Sequence, residues 1–120
     1  MGIPRERRIT TRREIGRLLS GSRVRGRHLE LFWTPGARRG RSRAGCITPK
    51  FGHGTVERNR LRRRLKELVR HRLLARFDDR DFLVRARPSA YGLPFEALRS
   101  ELERLVGRLE TEHSDDAEES

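Results

Sequence analysis

The most regular hydrophobic pattern in the chain lies between residues 55 and 76. Four leucines recur there at helical spacing, which predicts an amphipathic helix over about residues 56–76. These leucines are Leu61, Leu65, Leu68 and Leu73. Thr55 is expected to cap the helix, and Glu57 suits its first turn.

Shorter patterns flank this helix and predict the rest of the fold. A first helix is predicted at residues 11–19, capped by Thr10 or Thr11, and a last helix at residues 95–109 with a leucine stripe. Alternating or apolar runs predict strands at residues 24–33 with a bend at Gly26, at 44–48 and at 81–87. The order α-β-β-β-α-β-α predicts one α+β domain over residues 1–109, with a sheet covered by helices. Residues 110–120 hold six acids and no lysine or arginine, which predicts a disordered acidic tail.

Charge narrows the range of partners. The chain has 29 basic and 17 acidic residues and a net charge of +12. Without the six acids of the tail, 29 basic residues face 11 acidic ones, so residues 1–109 carry about +18. Such a charge favours a polyanionic partner and salt-dependent binding. A membrane surface is disfavoured, because no apolar run approaches the roughly 20 residues of a spanning helix and no apolar anchors cluster opposite a basic face.

Arginine accounts for all but two of the cations, Lys50 and Lys66. Its planar guanidinium binds phosphate in bidentate fashion and stacks on bases, which favours nucleic acid. A biased genome composition or a hot habitat would enrich arginine equally well.

The arginines of the central helix lie at its unfavourable end. Cations near a helix N-terminus oppose the macrodipole and cost roughly 0.3–1 kcal/mol each at exposed sites. A polyanion docking at that end would explain them, whereas the alternative is a solvated charged face. The residues concerned are Arg58, Arg60, Arg62, Arg63 and Arg64.

Residues with catalytic potential are sparse. The four histidines have no zinc-site spacing, and Asp78, Asp79 and Asp81 are better explained as the acids of a turn than as metal ligands. The single Cys46 is expected to be a small core residue in a reducing cytoplasm. Because the N-terminus leads into charge and not into an apolar run, we expect no secretion signal and a cytoplasmic protein.

The segment Glu57–Glu67 resembles the signature of the bacterial ribonuclease P protein subunit, in which Arg-Asn-Arg is followed by an apolar residue and two basic residues. The resemblance covers roughly residues 7–106. Other segments follow the family pattern in order: residues 12–15, 23–27, 48–50, 81–88 and 95–98.

The resemblance implies a non-catalytic protein subunit of the ribonucleoprotein endoribonuclease. It would bind a catalytic RNA and the 5′ leader of precursor tRNA and promote removal of the leader, with Mg²⁺ held by the RNA and substrate. Neither DNA nor a membrane is an expected partner. The implied fold includes a left-handed βαβ crossover and is similar to a ribosomal-protein domain.

The family pattern also assigns roles to residues. The RNA contacts implied on and beside the signature helix are Arg58, Asn59, Arg60, Arg62, Arg63, Lys66 and Lys50. The residues implied in the leader cleft are Ile15, Leu19, Phe32 and Arg17. Ile15 and Leu19 stand where the family commonly has phenylalanines; both are aliphatic and have no stacking face, and plain core packing is an alternative for both. Trp33 is expected in the core, on the opposite face from Phe32.

Two other classes of protein fit the charge. A ribosomal or other structural RNA-binding protein would share the charge and fold without a part in cleavage. A helix-turn-helix DNA regulator would need another helix a few residues before the basic one, but a predicted strand and Pro49 stand there.

Overall fold

A four-stranded sheet forms the centre of the computed structural model, which describes residues 2–35 and 41–119, without the side chains of 111–119. The strands are β1 (Ser22–Arg25), β2 (Leu29–Pro35), β3 (Ala44–Ile47) and β4 (Arg80–Ala86). The helices are α1 (Arg12–Leu19), α2 (Thr55–Val69) and α3 (Phe95–Glu119), with short 3₁₀ turns at Arg5–Arg7 and Pro88–Gly92. The predicted α+β class and element order are therefore confirmed. No helix in the described ranges is long and apolar enough to cross a bilayer.

The strand order in the sheet is β1-β2-β4-β3. β2 pairs antiparallel with both β1 and β4, whereas β3 and β4 are parallel and are joined through α2. Gly26, where a bend was predicted, directly follows β1 and is the first residue of the loop that joins β1 to β2 in a hairpin. The handedness of the β3–α2–β4 crossover stays a prediction.

The two faces of the sheet carry different cores. The larger core packs α2 and α3 against one face, and the leucine stripes predicted on both helices are buried there. Phe82, Val84 and the half-buried Trp33 belong to this core. On the other face, Leu18 of α1 packs on Phe32 and Leu83. The predicted division of Trp33 and Phe32 between opposite faces is confirmed, because neighbouring residues of a strand point to opposite sides.

The cap of α1 agrees with the predictions, whereas both ends of α2 differ from them. Thr11 caps α1 as expected, since its side chain accepts a hydrogen bond from the Glu14 N–H at 3.2 Å. The prediction that Thr55 caps α2 is wrong: Gly54 is the N-cap, without a side-chain hydrogen bond, and Thr55 is the first helical residue. Beyond Val69 the helix continues as a π-helical turn, Arg70–Leu74, which buries the predicted Leu73.

The last helix is longer than its leucine stripe. α3 runs to Glu119, so the predicted end at Leu109 was ten residues too early. The backbone of residues 110–119 continues the helix, and this segment has no glycine or proline to end it. The disorder of the acidic tail stays a prediction. The division of the chain into a domain at 1–109 and a tail at 110–120 stays a prediction.

A buried carboxylate joins α3 to the β1–β2 hairpin. Glu101 is 2% exposed, and its Oε2 accepts hydrogen bonds from the backbone N–H groups of His28 at 2.6 Å and Leu29 at 2.5 Å. A Cβ at Gly26 would lie 2.8 Å from that oxygen, closer than a carbon atom can approach. A side chain at this position would therefore displace the Glu101 carboxylate from its hydrogen bonds to His28 and Leu29.

Candidate nucleic-acid interface

The outer face of α2 carries polar side chains that have no partner in the described part of the chain. Because the leucines of α2 face the core, the signature residues between them point outwards. Asn59, Arg60 and Arg63 are exposed, and Arg62 and Lys66 are half-buried. Among the described residues, none of these five side chains makes a hydrogen bond or an ion pair. They are therefore available to an anionic partner.

Arg58 and Arg64 differ from their neighbours because each is attached to the backbone of another segment. The Arg58 Nε donates to the Thr48 carbonyl at 3.2 Å and so ties the start of α2 to the end of β3. The Arg64 Nη1 donates to the Leu93 carbonyl at 3.3 Å, just before α3. Arg58 thus combines a structural contact with its position in the signature, and Arg64 is structural.

The turn between β3 and α2 presents Lys50 and Phe51 to solvent, and Phe51 is 47% exposed. The ring of His53 stacks on Tyr91 with centroids 3.9 Å apart, and the Tyr91 hydroxyl donates to the Pro49 carbonyl at 2.5 Å. His53 Nδ1 lies 2.6 Å from Glu57 Oε2, and this hydrogen bond lowers the pKa of the Glu57 carboxyl. The approach to the signature helix is thus held by side-chain contacts.

A second cationic surface lies on the part of the sheet that α1 leaves open. The buried carboxylate of Glu30 binds three arginines: Arg85 at 2.9 Å, Arg25 at 3.3 Å and Arg23 at 3.6 Å. The side chain of Glu30 is 7% exposed, whereas those of the arginines are 33–54% exposed. Burial alone would raise the pKa of Glu30, but the hydrogen bond and charge of Arg85, helped by Arg25, hold it below its ordinary value. We call Arg23, Arg25 and Arg85 the sheet arginines.

Sequence reasoning missed the sheet arginines as a group. They come from β1 and β4, the two neighbours of β2, and the pairings Arg25↔Glu30↔Arg85 bring them together. The signal available in the sequence was the alternation of Arg23 and Arg25 in a short strand, which places both on one face. The position of Arg85 beside them could be established only from the register of β2 against β4.

The predicted leader residues do not all line an open cleft. Phe32 is 1% exposed, so its ring has no face open to solvent, and its place in the leader cleft stays a prediction. Leu18 covers it, and the guanidinium of Arg85 lies 5.0 Å from its centroid. Ile15 is half-buried against the same cluster, which agrees with the packing alternative, whereas Leu19 is 36% exposed.

Arg17 projects from α1 with 54% of its side chain exposed, and its Nη2 lies 3.5 Å from Asp81 Oδ2. Asp81 also accepts a hydrogen bond from the Arg43 backbone N–H at 3.1 Å.

Burial raises the pKa of the Cys46 thiol to about 12, so the thiol is neutral at physiological pH, in agreement with a packing role. Cys46 contacts the larger core.

Comparison with known proteins identifies the family of the chain. The sequence matches the family model Ribonuclease P over residues 3–110, which is most of the chain. The chain belongs to this family. The ribonuclease P protein component of Acidothermus cellulolyticus is 38% identical over 93 residues, which span 77% of this chain and 78% of that protein. Membership associates the chain with ribonuclease P and with an RNA partner.

The fold is also shared with solved ribonuclease P proteins. A mutant Staphylococcus aureus protein superposes with a TM-score of 0.78 at 20% identity, covering 88% of this chain and 89% of that one. The Thermotoga maritima protein gives a TM-score of 0.73 at 20% identity, covering 84% of this chain and 96% of that one. At these identities the superpositions concern the fold alone.

Proposed function

We propose that this protein is the non-catalytic subunit of a cytoplasmic ribonuclease P. It binds the catalytic RNA and the 5′ leader of precursor tRNA, and it promotes the endonucleolytic step that produces the mature tRNA 5′ end. The observation that carries the proposal is the set of signature side chains on α2 that have no hydrogen bond or ion pair among the described residues, in a chain that belongs to the ribonuclease P family.

The position of the signature cations supports a binding role for α2. Arg60, Arg62 and Arg63 lie in the half of the helix where cations oppose the macrodipole, and none of them has a hydrogen bond or ion pair among the described residues. Arg58 and Arg64, in contrast, are held by backbone carbonyls. RNA phosphates would supply the missing contacts of Arg60, Arg62 and Arg63 through charge-assisted hydrogen bonds. The proposed contacts are Arg58, Asn59, Arg60, Arg62, Arg63, Lys66 and Lys50.

For the leader we propose the sheet arginines together with Leu19 and Arg17 of α1. These side chains border the sheet face beside α1, and a single-stranded backbone could follow them by phosphate contacts. Phe32 lies beneath the sheet arginines and stabilises their guanidinium groups by cation–π contacts. The guanidinium carbons of Arg85 and Arg23 lie 5.0 and 6.0 Å from the centroid of its ring.

We assign the magnesium ions of the reaction to the RNA and the substrate. Within residues 2–35 and 41–110, no three His, Cys, Asp or Glu side chains are grouped as a metal site. The buried acids are used in other ways, since Glu30 and Asp81 bind arginines and Glu101 binds backbone N–H groups. This donor set does not fit a magnesium site on the protein.

The test adds purified protein to the ribonuclease P RNA of the same genome and follows cleavage of precursor tRNA at low magnesium. We expect the protein to raise the cleavage rate and to lower the magnesium requirement. Arg60→Ala should lose most of the effect, whereas Arg99→Ala, on α3 and paired with Glu96, serves as the charge-matched control. Tight RNA binding without any effect on cleavage would instead indicate a ribosomal or other structural RNA-binding protein.

A further inference from the structure

The turn that leads into α2 holds an aromatic residue in an unfavourable backbone conformation. The φ angles of Phe51 and Gly52 are +44° and +85°, and the His53 N–H donates to the Lys50 carbonyl at 2.7 Å. Positive φ at both central residues is typical of a type I′ turn, where the first of them is usually Asn, Asp or Gly. A bulky side chain at that position costs folding free energy.

Burial does not compensate for this cost. Phe51 is 47% exposed and belongs to neither of the two hydrophobic clusters. Its ring contact within the described residues is an edge-to-face contact with Tyr91, with centroids 6.5 Å apart at 86°. Such a pair contributes about 0.5–1.5 kcal/mol, less than the roughly 1–3 kcal/mol of the strained backbone. Asparagine or glycine would form the same turn at lower cost.

The surroundings of the ring point to an RNA base. Lys50 is exposed immediately before it, and the unpaired signature side chains of α2 begin at Asn59. The neighbouring acid, Glu57, is already hydrogen-bonded to His53. An accessible ring beside cations is the arrangement that binds unpaired nucleotides, because the ring stacks on the base while the cations contact the phosphates.

We propose that Phe51 is a base-stacking residue for an unpaired RNA nucleotide whose phosphate lies near Lys50. The proposal rests on the proposed RNA-binding function and adds a specific recognition element to it. The stacked His53 and Tyr91, fixed through the Pro49 carbonyl, hold the turn in place, so the ring is oriented before RNA arrives. The nucleotide belongs either to the catalytic RNA or to the leader of precursor tRNA.

Three substitutions of Phe51 test the proposal. Phe51→Leu keeps an apolar side chain without a stacking face, Phe51→Trp keeps a ring, and Phe51→Gly removes both the ring and the strain of the turn. In the first measurement, the affinity of each variant for the ribonuclease P RNA alone is determined. In the second, the protein is saturated with that RNA, and the affinity of the complex is determined for precursor tRNA with its leader and without it. We expect Phe51→Leu and Phe51→Gly to lose about fivefold or more for one of these RNAs, and Phe51→Trp to bind like the native protein. If affinity falls only for precursor tRNA that carries its leader, the stacked nucleotide belongs to the leader. If affinity falls for the ribonuclease P RNA alone, the nucleotide belongs to that RNA.

Two further measurements separate stacking from other roles. Phe51→Gly should melt at or above the native temperature despite its weaker binding, because it relieves a positive φ. Phe51→Leu should leave the slope of log affinity against log salt unchanged, whereas the control Lys50→Gln should reduce that slope by about one. A melting temperature that falls together with affinity in Phe51→Gly would show a structural role and overturn the proposal.

Affinities of Phe51→Leu within twofold of native for every RNA would also overturn the proposal, as would a Phe51→Trp variant as weak as Phe51→Leu. If the native protein stimulates cleavage under these conditions, such results remove the stacking role and leave the proposed function standing. A native protein that binds none of these RNAs would overturn both.

Discussion

Replacing Glu30 by glutamine tests how the sheet arginines are held. In the native protein one carboxylate accepts from Arg85 Nε at 3.0 Å and interacts with Arg25 at 3.3 Å and Arg23 at 3.6 Å. Glu30→Gln keeps the size of the side chain but removes its charge, and its amide N–H₂ group would meet guanidinium donors. Three like charges then lie close together without a counter-ion.

The expected loss of stability follows from burial. Removing one partner of a fully buried ion pair costs about 3–5 kcal/mol. Here the arginine side chains are 33–54% exposed, so water solvates them when the carboxylate is gone, and we expect a smaller loss of about 1–2 kcal/mol. For a chain of 120 residues, such a loss lowers the melting temperature by roughly 4–8 °C.

The pH dependence gives the sharper result. The folded state lowers the pKa of Glu30 below its ordinary value of 4.5, so the unfolded chain takes up this proton first as the pH falls. The stabilisation is therefore complete above pH 4.5 and is lost as the pH falls through the lowered pKa. The difference in unfolding free energy between native protein and Glu30→Gln should be largest at neutral pH and should shrink in acid.

Urea unfolding of both proteins at several pH values measures this difference. Glu103→Gln is the matched control, since Glu103 pairs with Arg72 and Arg99 but its side chain is 39% exposed; its effect should be small. A Glu30→Gln variant as stable as the native protein at pH 7, or a difference that persists unchanged at low pH, would refute the assigned role of the carboxylate.

The remaining predictions concern RNA. Arg60→Ala and Arg63→Ala should each weaken RNA binding without lowering the melting temperature, because neither side chain has a hydrogen bond or ion pair among the described residues. Arg64→Ala should lower the melting temperature, because it removes the hydrogen bond to the Leu93 carbonyl. Thermal melts and RNA titrations compare the three variants. The pure, RNA-free protein should leave precursor tRNA intact, and site-specific cutting that co-purifies with it would contradict this. Deleting residues 110–120, which bring about −6 to a body of about +18, should modestly tighten RNA binding and reduce discrimination against random RNA at low salt. Equal affinities of full-length and truncated protein for both RNAs at two salt concentrations would exclude such competition.

Local patterns were sufficient to predict most of the fold. Leu61, Leu65 and Leu68 are spaced four and three residues apart on α2, and Leu73 follows in the π-helical turn; all four are buried as expected. Phe32 and Trp33 were correctly divided between the two faces because side-chain direction alternates along any strand. The exposure of Asn59, Arg60 and Arg63 follows from the same kind of reasoning, since these residues lie away from the leucine stripe, whereas Arg62 and Lys66 are half-buried.

The parts that were missed depend on tertiary contacts or on choices between near-equal local states. The burial of Phe32 depends on Leu18 of α1, and the sheet arginines depend on strand register, neither of which a local pattern specifies. Gly54 and Thr55 are both acceptable helix caps, so the boundary could fall at either. The exposure of Phe51 follows from a turn whose Phe-Gly sequence is not a usual type I′ signal.

The position of β4 has a consequence for how the protein and RNA stabilise each other. β4 is synthesised after β1, β2 and β3, yet it separates β2 from β3, and it supplies Arg85 to the sheet arginines. Before β4 is inserted, the hairpin that carries Arg25 and the strand that leads into α2 have no fixed relation to each other. An RNA that contacts both surfaces therefore binds the complete fold and not its parts. Under the proposed function, such an RNA, free at a hundred times its dissociation constant, would add about 2.7 kcal/mol to the stability of the whole domain.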